Sequence, residues 1–363
     1  MAVTEYAVNN PLAVKLWAKK LFHEVFKETW VSKFMGEDDS SLIQIVPDPS
    51  KGPGDRVTVG LRMLLTGAGV QGDNTLEGNE EALVTYTDNV FIDQLRHATR
   101  SKGKMTEQRV AFSLREENRM ALRDWWTERL EQWTANQLGF NSGQTDTRFT
   151  GNQLAATIDA AHLLICGPNG TASTGELSIS STTSFGTGNY LTLTDIDRAV
   201  ARAKTISPKI RPIRLNGQDF YVLFLHPYQL GALRNDTAAT NPWSTLQRAA
   251  IQGGDTTGNP IFTGAAGMYN NVILHEWSYV PNAVSSSAAA TNVIRRAIFA
   301  GAQAAVVAYG QDNGPNAMTW VEELFDFGNQ LGVSAGMIAG MKSTVFNAQA
   351  FGTIIMSSYA PTL

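Results

Sequence analysis

The sequence predicts an α+β protein made of an N-terminal arm, a protruding two-stranded ribbon, one very long helix, and a mixed α/β part closed by long C-terminal strands. Three observations carry that prediction. Residues 57–65 alternate apolar and polar with a period of two, and a second β-rich run follows at 83–95. Residues 104–138 run without a proline or glycine, which at ~1.5 Å per residue reads as one helix of about 50 Å. From residue 194 onward, strand-like and helix-like segments alternate, as in a sheet with helices packed on it.

Taken in order, residues 11–30 place Leu12, Leu16, Leu21, Val25 and Phe26 at helical spacing, with Asn10 as cap and Pro11 at the first helical position. Pro47, Pro49 and Pro53, with Gly52 and Gly54, then break the chain. Between the two ribbon strands, residues 66–81 are rich in glycine and acid and too long for a tight hairpin turn. The ribbon therefore has an extended tip. Two strands alone are marginal in water, so the ribbon needs a partner surface.

In the long helix, Leu122, Trp126, Leu130 and Trp133 share a stripe that Met105 and Phe112 continue backward, and Gly139 stops it. Residues 141–190 read as loop, Ser/Thr/Gly-rich at 171–189 and interrupted by a short apolar helix at 152–166. Thr194-Asp195 opens a helix that runs to Lys204. A strand at 220–225, helices at 227–233 and 242–251, and a glycine-rich stretch at 253–267 follow. Strands are expected at 272–277, 294–308 and 319–325, and long strands with several glycines fill 326–359.

Composition narrows the function. Charged residues make up 17% of the 363-residue chain, against about 25% in an average soluble protein, so much of the surface suits covering by another protein. The net charge of −4 argues against a dedicated nucleic-acid binder, which needs a basic excess to neutralise phosphates. The single cysteine, Cys166, excludes an internal disulfide framework and fits a reducing compartment. The first residues lack a secretory pattern. The apolar stretches at 297–309 and 333–341 fall short of the ~20 residues that cross a bilayer. A soluble, cytoplasmic protein without membrane contact is the expectation.

Catalytic chemistry was weighed residue by residue. His162 and Cys166, four apart on a helix, would share a face, but they sit in an apolar run with no nucleophile elbow. His226-Pro227 ends a strand without a second acid or base nearby, and His275-Glu276 lacks the zinc spacing His-Glu-x-x-His. Asp195 and Asp197 lie at a helix start, where capping explains them. The stretch from Gly253 lacks the lysine and hydroxyl of a phosphate loop. No enzyme, cofactor or metal is expected; the alternative of another class is a soluble hydrolase using His226 or His162 as base.

The order of parts, together with KGPGDRVTVGLRMLLTGAGVQGDNTLEGNEEAL, LTLTDIDRAVARAK, FYVLFLHPYQLGALRND, NPIFTGAAGMYNNVILHE and FGNQLGVSAGMIAGMKSTVFN, resembles the major capsid proteins of tailed bacteriophages. These have the Hong Kong 97-type fold, and the likeness is to the branch found in N-four-like phages. The resemblance implies a shell protein that self-assembles as pentamers and hexamers into an icosahedral virion capsid enclosing double-stranded DNA, which it contacts non-specifically. Residues 1–50 would be the N-terminal arm and 51–100 the extended loop lying across the adjacent subunit. Residues 101–193 would form the peripheral domain, with the spine helix and a variable insertion. Residues 194–325 would form the axial domain, and 326–363 the C-terminal strands of the peripheral domain. An encapsulin-like nanocompartment shell is the runner-up within the fold.

Some members of that family cross-link a lysine of the extended loop to a neighbour. Here Lys51 is the ribbon's only lysine before Lys102 and sits at the base of the ribbon, so a non-covalent shell is expected, with a decoration protein as an option. No long helical segment precedes the arm, so the helpers expected are a separate scaffolding protein and a portal. Arg56, Arg62, Asp73, Glu77, Glu80 and Glu81 give the ribbon charges of both signs and are the subunit-interface candidates.

Overall fold

In a computed structural model, residues 24–25, 28–38, 40–46, 55–62, 65, 67–167, 189–215, 217–234, 267–283, 294–310 and 318–360 are described. Most of the expected N-terminal helix, the helix at 242–251, nearly all of 253–267, Lys51 and most of 171–189 lie outside them.

Two sheets organise these residues. The first has β1 (Met35–Gly36), β2 (Ile43–Val46), β12 (Ala305–Tyr309), β14 (Gln330–Ser343) and β13 (Thr319–Phe325) in that order, with β5 (Asp93–Arg100) also paired to β14. The axle is β14: its first half lies between β13 and β5, and its second half pairs with β12 from Ala339↔Tyr309 to Ser343↔Ala305. At ~3.3 Å per residue those 14 residues span about 45 Å. Glycine permits that crowding at one point. A Cβ on Gly340 would lie 1.8 Å from the Phe91 carbonyl oxygen, where β4 (Thr85–Phe91) leads into β5.

The second sheet runs β6 (Leu163–Ile165), β17 (Thr353–Tyr359), β11 (Ile294–Ala300), β8 (Gln218–Leu225), β10 (Val272–Glu276) and β9 (Gly267–Tyr269), with β7 (Ile213–Leu215) as a hairpin partner of β8. Its interior strands are buried over most of their length, because both faces are covered. Two helices, α3 (Leu193–Thr205) and α4 (Pro227–Arg234), flank it. The start of α3 is as the sequence suggested: Asp195 Oδ2 accepts the Thr192 amide at 3.1 Å and the Thr192 hydroxyl at 2.8 Å. β13 forms one hairpin with β14, and β17 crosses into the second sheet.

Two sequence expectations are corrected. The long helix is two: α1 (Lys104–Arg109) and α2 (Leu114–Leu138), separated at residues 110–113 by extended backbone at Val110. β-Branched Val110 disfavours the helix, and Ser113 restarts it with Glu116 and Glu117 in the first turn, where they complement the dipole. The continuous helix is therefore 25 residues, about 37 Å. It buries Leu122, Trp126, Leu130 and Trp133 as the stripe predicted, while Met105 and Phe112 stay exposed. Gly139 ends it, as expected.

The helix expected at 152–166 is instead irregular chain ending in β6, parallel to β17. Asn152 takes a left-handed conformation (φ 67°) with its amide hydrogen-bonded to Ala339 O at 2.6 Å, which aborts a helix at its first residue. A short, fully buried apolar run has no periodicity to separate strand from helix.

Candidate assembly interface

The ribbon pairs β3 (Arg56–Arg62) with β4, from Arg56↔Phe91 to Arg62↔Thr85. Only its root is embedded: Val57 and Val90 pack on Val306 and Ala308 of β12. Beyond the paired strands the tip leaves Leu65, Leu76 and Leu83 about 60% exposed and Val84 48% exposed. Four large apolar side chains on a two-stranded projection form a surface that water does not favour.

The root is held by polar groups that the sequence reading missed. Lys342 Nζ of β14 forms an ion pair with Asp88 of β4, and the second Asp88 oxygen accepts the Val345 amide at 3.1 Å. Next to it, buried Gln137 at the end of α2 donates to the carbonyls of Thr150 and Gln153 and accepts the Ser343 amide at 3.3 Å. Gln153 in turn donates to Met341 O at 2.8 Å and accepts the Phe91 amide at 3.2 Å. Helix, loop, β14 and ribbon thus meet through two glutamines. Gln137 did carry a signal, since it falls four residues after Trp133 on the apolar stripe.

Of the sequence candidates, Arg56 lies 4.5 Å over the Phe91 ring and 3.8 Å from Asp55. Glu80 and Glu81 accept the amides of Gly78 and Gly67 at 2.7 and 2.6 Å, shaping the tip from within the chain. Arg62, Asp73 and Glu77 are exposed, with no ion-pair partner among the described residues. The six are not gathered into one cluster: Arg56 and Arg62 stand on β3, the four acids on the tip.

A second polar seam holds the segment before β1 against α2. Glu24 pairs with Arg119, Glu28 with Arg123 at 3.0 Å, and Glu131 accepts the Trp30 amide at 3.1 Å. Burial pushes the Glu131 carboxyl upward, against the lowering effect of that amide. At the other end of α2, buried Arg296 of β11 donates to the carbonyls of Gly139 and Phe140 at 3.1 and 2.7 Å, capping the helix and joining the two sheets' layers.

His162, His226 and the cysteine are built into the framework. His162 is fully buried with Nδ1 2.8 Å from Asp159, whose other oxygen accepts the Ala350 amide at 3.0 Å. His226 caps α4: its Nδ1 accepts the Tyr228 amide at 3.2 Å. Burial and the nearby Arg295 push its pKa down to about 4. Burial raises the Cys166 thiol well above its ordinary value, the reverse of what a nucleophile needs. Among the described residues no group of three His, Cys, Asp or Glu side chains could hold a metal ion, and no helix is long and apolar enough to cross a membrane.

The ribbon is thus embedded at its root, while its apolar tip is uncovered. A phage capsid protein family model matches residues 5–362. The chain belongs to that family. The capsid protein is 27% identical over 367 residues to the major capsid protein of Pseudomonas phage KPP25, covering 93% of each chain. Its structure is similar to the capsid of Ralstonia phage GP4, with a TM-score of 0.76, 33% identity and 99% of both chains covered. It is also similar to the capsid of cyanophage Pam1, with a TM-score of 0.72, 19% identity, and 100% and 97% of the two chains covered. The fold is the Hong Kong 97 type. The capsid protein is thus a major capsid protein of a tailed phage, a structural component that assembles with copies of itself into the virion shell.

Proposed function

We propose that this capsid protein forms pentamers and hexamers of an icosahedral shell around double-stranded DNA, and that the ribbon of each subunit lies across the next. The observation that carries this reading is the exposed apolar tip at Leu65, Leu76, Leu83 and Val84 on a ribbon embedded only at its root. Covering those side chains makes each subunit's ribbon stable only in the assembly, which is a physical basis for cooperative shell growth.

In this reading residues 1–50 are the arm and 51–100 the extended loop. Residues 101–193 form the peripheral domain with the spine helix, 194–325 the axial domain, and 326–363 the C-terminal strands of the peripheral domain. The role is structural, without catalysis: His162 and His226 serve packing and capping. Assembly takes place in the host cytoplasm with a separate scaffolding protein and a portal. The shell is non-covalent, with a decoration protein as a possible reinforcement. The net charge of −4 suits a wall that meets DNA without gripping it.

Sedimentation velocity of the full chain, with microscopy of the fast fraction, tests the shell; a chain that stays monomeric or dimeric alongside its scaffold sinks it. Arg62→Glu is expected to impair assembly while leaving the subunit folded, and normal shells from that variant would refute the ribbon's role. Covalent ladders from wild-type particles on a denaturing gel would refute the non-covalent shell.

A further inference from the structure

The ribbon tip has a chemical character that selects its contact surface. From residue 63 to 84 it carries Asp73, Glu77, Glu80 and Glu81 and no lysine or arginine, beside its exposed apolar side chains. Its complement is the shelf formed by α1 and the turn into α2. There residues 102–112 carry Lys102, Lys104 and Arg109 against one acid, Glu107, and Met105 and Phe112 stand 62% and 54% exposed. None of the three cations has an ion-pair partner among the described residues. The shelf backbone is fixed to the start of β14: Lys102 O accepts Gln330 Nε2 at 3.1 Å and the Lys104 amide donates to Asn329 at 3.2 Å.

The tip cannot reach the shelf of its own chain. Along β14, Arg100 pairs with Gly332 and Asp93 with Ala339. Phe91 then abuts Gly340, and Asp88 meets Lys342 and Val345. The chain from shelf to ribbon therefore continues along β14 in one direction. The eight residues of β5 and seven of β4 place the two ends about 50 Å apart. A second basic surface exists, a cleft of about 530 Å³ lined by Lys204, Lys209 and Arg211. Its apolar floor, Val200, Ile210 and Tyr221, is already buried, so it offers an apolar tip nothing to cover.

We propose that the acidic, apolar ribbon tip of one subunit docks on the basic, apolar shelf at residues 102–112 of a second copy. This rests on the reading that the ribbon crosses to a neighbour, and names what it meets there. Charge complementarity sets the register of the contact, and the apolar side chains supply its burial.

Two measurements test it, both on particles of the full chain. In the Leu76→Cys/Met105→Cys chain, oxidised particles are expected to run as a ladder of linked multimers on a non-reducing denaturing gel, with neither single variant doing so. Absence of that ladder, or a ladder from Leu76→Cys/Lys209→Cys in its place, overturns the proposal. Asp73→Lys/Glu77→Lys is expected to cut particle yield about tenfold, and adding Lys104→Glu/Arg109→Glu to restore it within about threefold. Failure of the second pair to rescue the first overturns the proposal even where the cysteine variant does not assemble. Wild-type particles prepared alongside establish the shell independently, so a missing ladder counts against this contact and not against the capsid reading.

Discussion

Replacing Gln137 by leucine probes the junction on which the ribbon stands. The side chain is fully buried, donates to Thr150 O and Gln153 O, and accepts the Ser343 amide. Leucine is of similar volume, so the variant opens little cavity and isolates the polar loss. Gln153 O keeps the Thr150 hydroxyl as a donor, which leaves two groups without these partners, the Thr150 carbonyl and the Ser343 amide. At roughly 1–2 kcal/mol for each buried orphan, the cost is about 2–4 kcal/mol. For a chain of this size that corresponds to a fall in melting temperature of about 3–5 °C. The assay is thermal melting of the unassembled subunit, since assembly would add its own stabilisation. Gln132→Leu, half-buried on the same helix and hydrogen-bonded to Glu128 at 3.1 Å, is the control and should melt like wild type. Because Gln153 belongs to the same network, Gln137→Leu/Gln153→Leu should cost less than the two single changes added. A drop below about 1 °C for Gln137→Leu, or strict additivity of the pair, would refute the claim that this hub holds the root.

Three further outcomes are expected. Gly340→Ala drives a Cβ into the Phe91 carbonyl and should destabilise by about 3 kcal/mol, whereas Gly60→Ala, with open space around it, should melt unchanged; comparison of the two melting curves checks this. Asp88→Asn weakens the half-buried pair with Lys342 and should cost up to about 3 kcal/mol, read as faster proteolysis within residues 67–84. His226 has a folded-state pKa of about 4 against an ordinary 6.5, so the unfolded chain binds its proton first as pH falls. Stability present above pH 6.5 is then lost between 6.5 and about 4, to a total of about 3 kcal/mol. His226→Asn, which keeps a cap for the Tyr228 amide, should flatten that part of the denaturant-midpoint profile against pH; an unchanged slope would exclude His226 as its source.

Local chemistry determined the elements that were legible in the sequence. Period-two alternation identified the ribbon, the Leu122–Trp126–Leu130–Trp133 stripe identified the buried face of α2, Gly139 its end, and Thr194-Asp195 the start of α3 to within a residue. Each depends on neighbours within a turn or a strand, so the chain carries the information in its own order. The interface candidates were legible only as charges. That Glu80 and Glu81 shape the tip, while Arg62, Asp73 and Glu77 remain available, follows from where the backbone amides of Gly78 and Gly67 fall.

What only the tertiary structure decided depends on partners far away in sequence. Residues 163–165 are a strand because β17 lies beside them, almost two hundred residues later. The helix at 104–138 breaks at Val110, and the two pieces are held apart: the start of α1 is tied to Gln330 and Asn329 beside β14, while α2 packs on the sheet core. The root of the ribbon is held by Gln137, Gln153, Asp88 and Lys342, polar residues that no spacing rule connects. Such groups acquire their partners only when burial removes water and leaves each donor and acceptor to be satisfied by whatever the fold brings near. For this capsid protein the sequence alone therefore determined the parts, and the packing of β14 against ribbon, shelf and helix decided how those parts are held together.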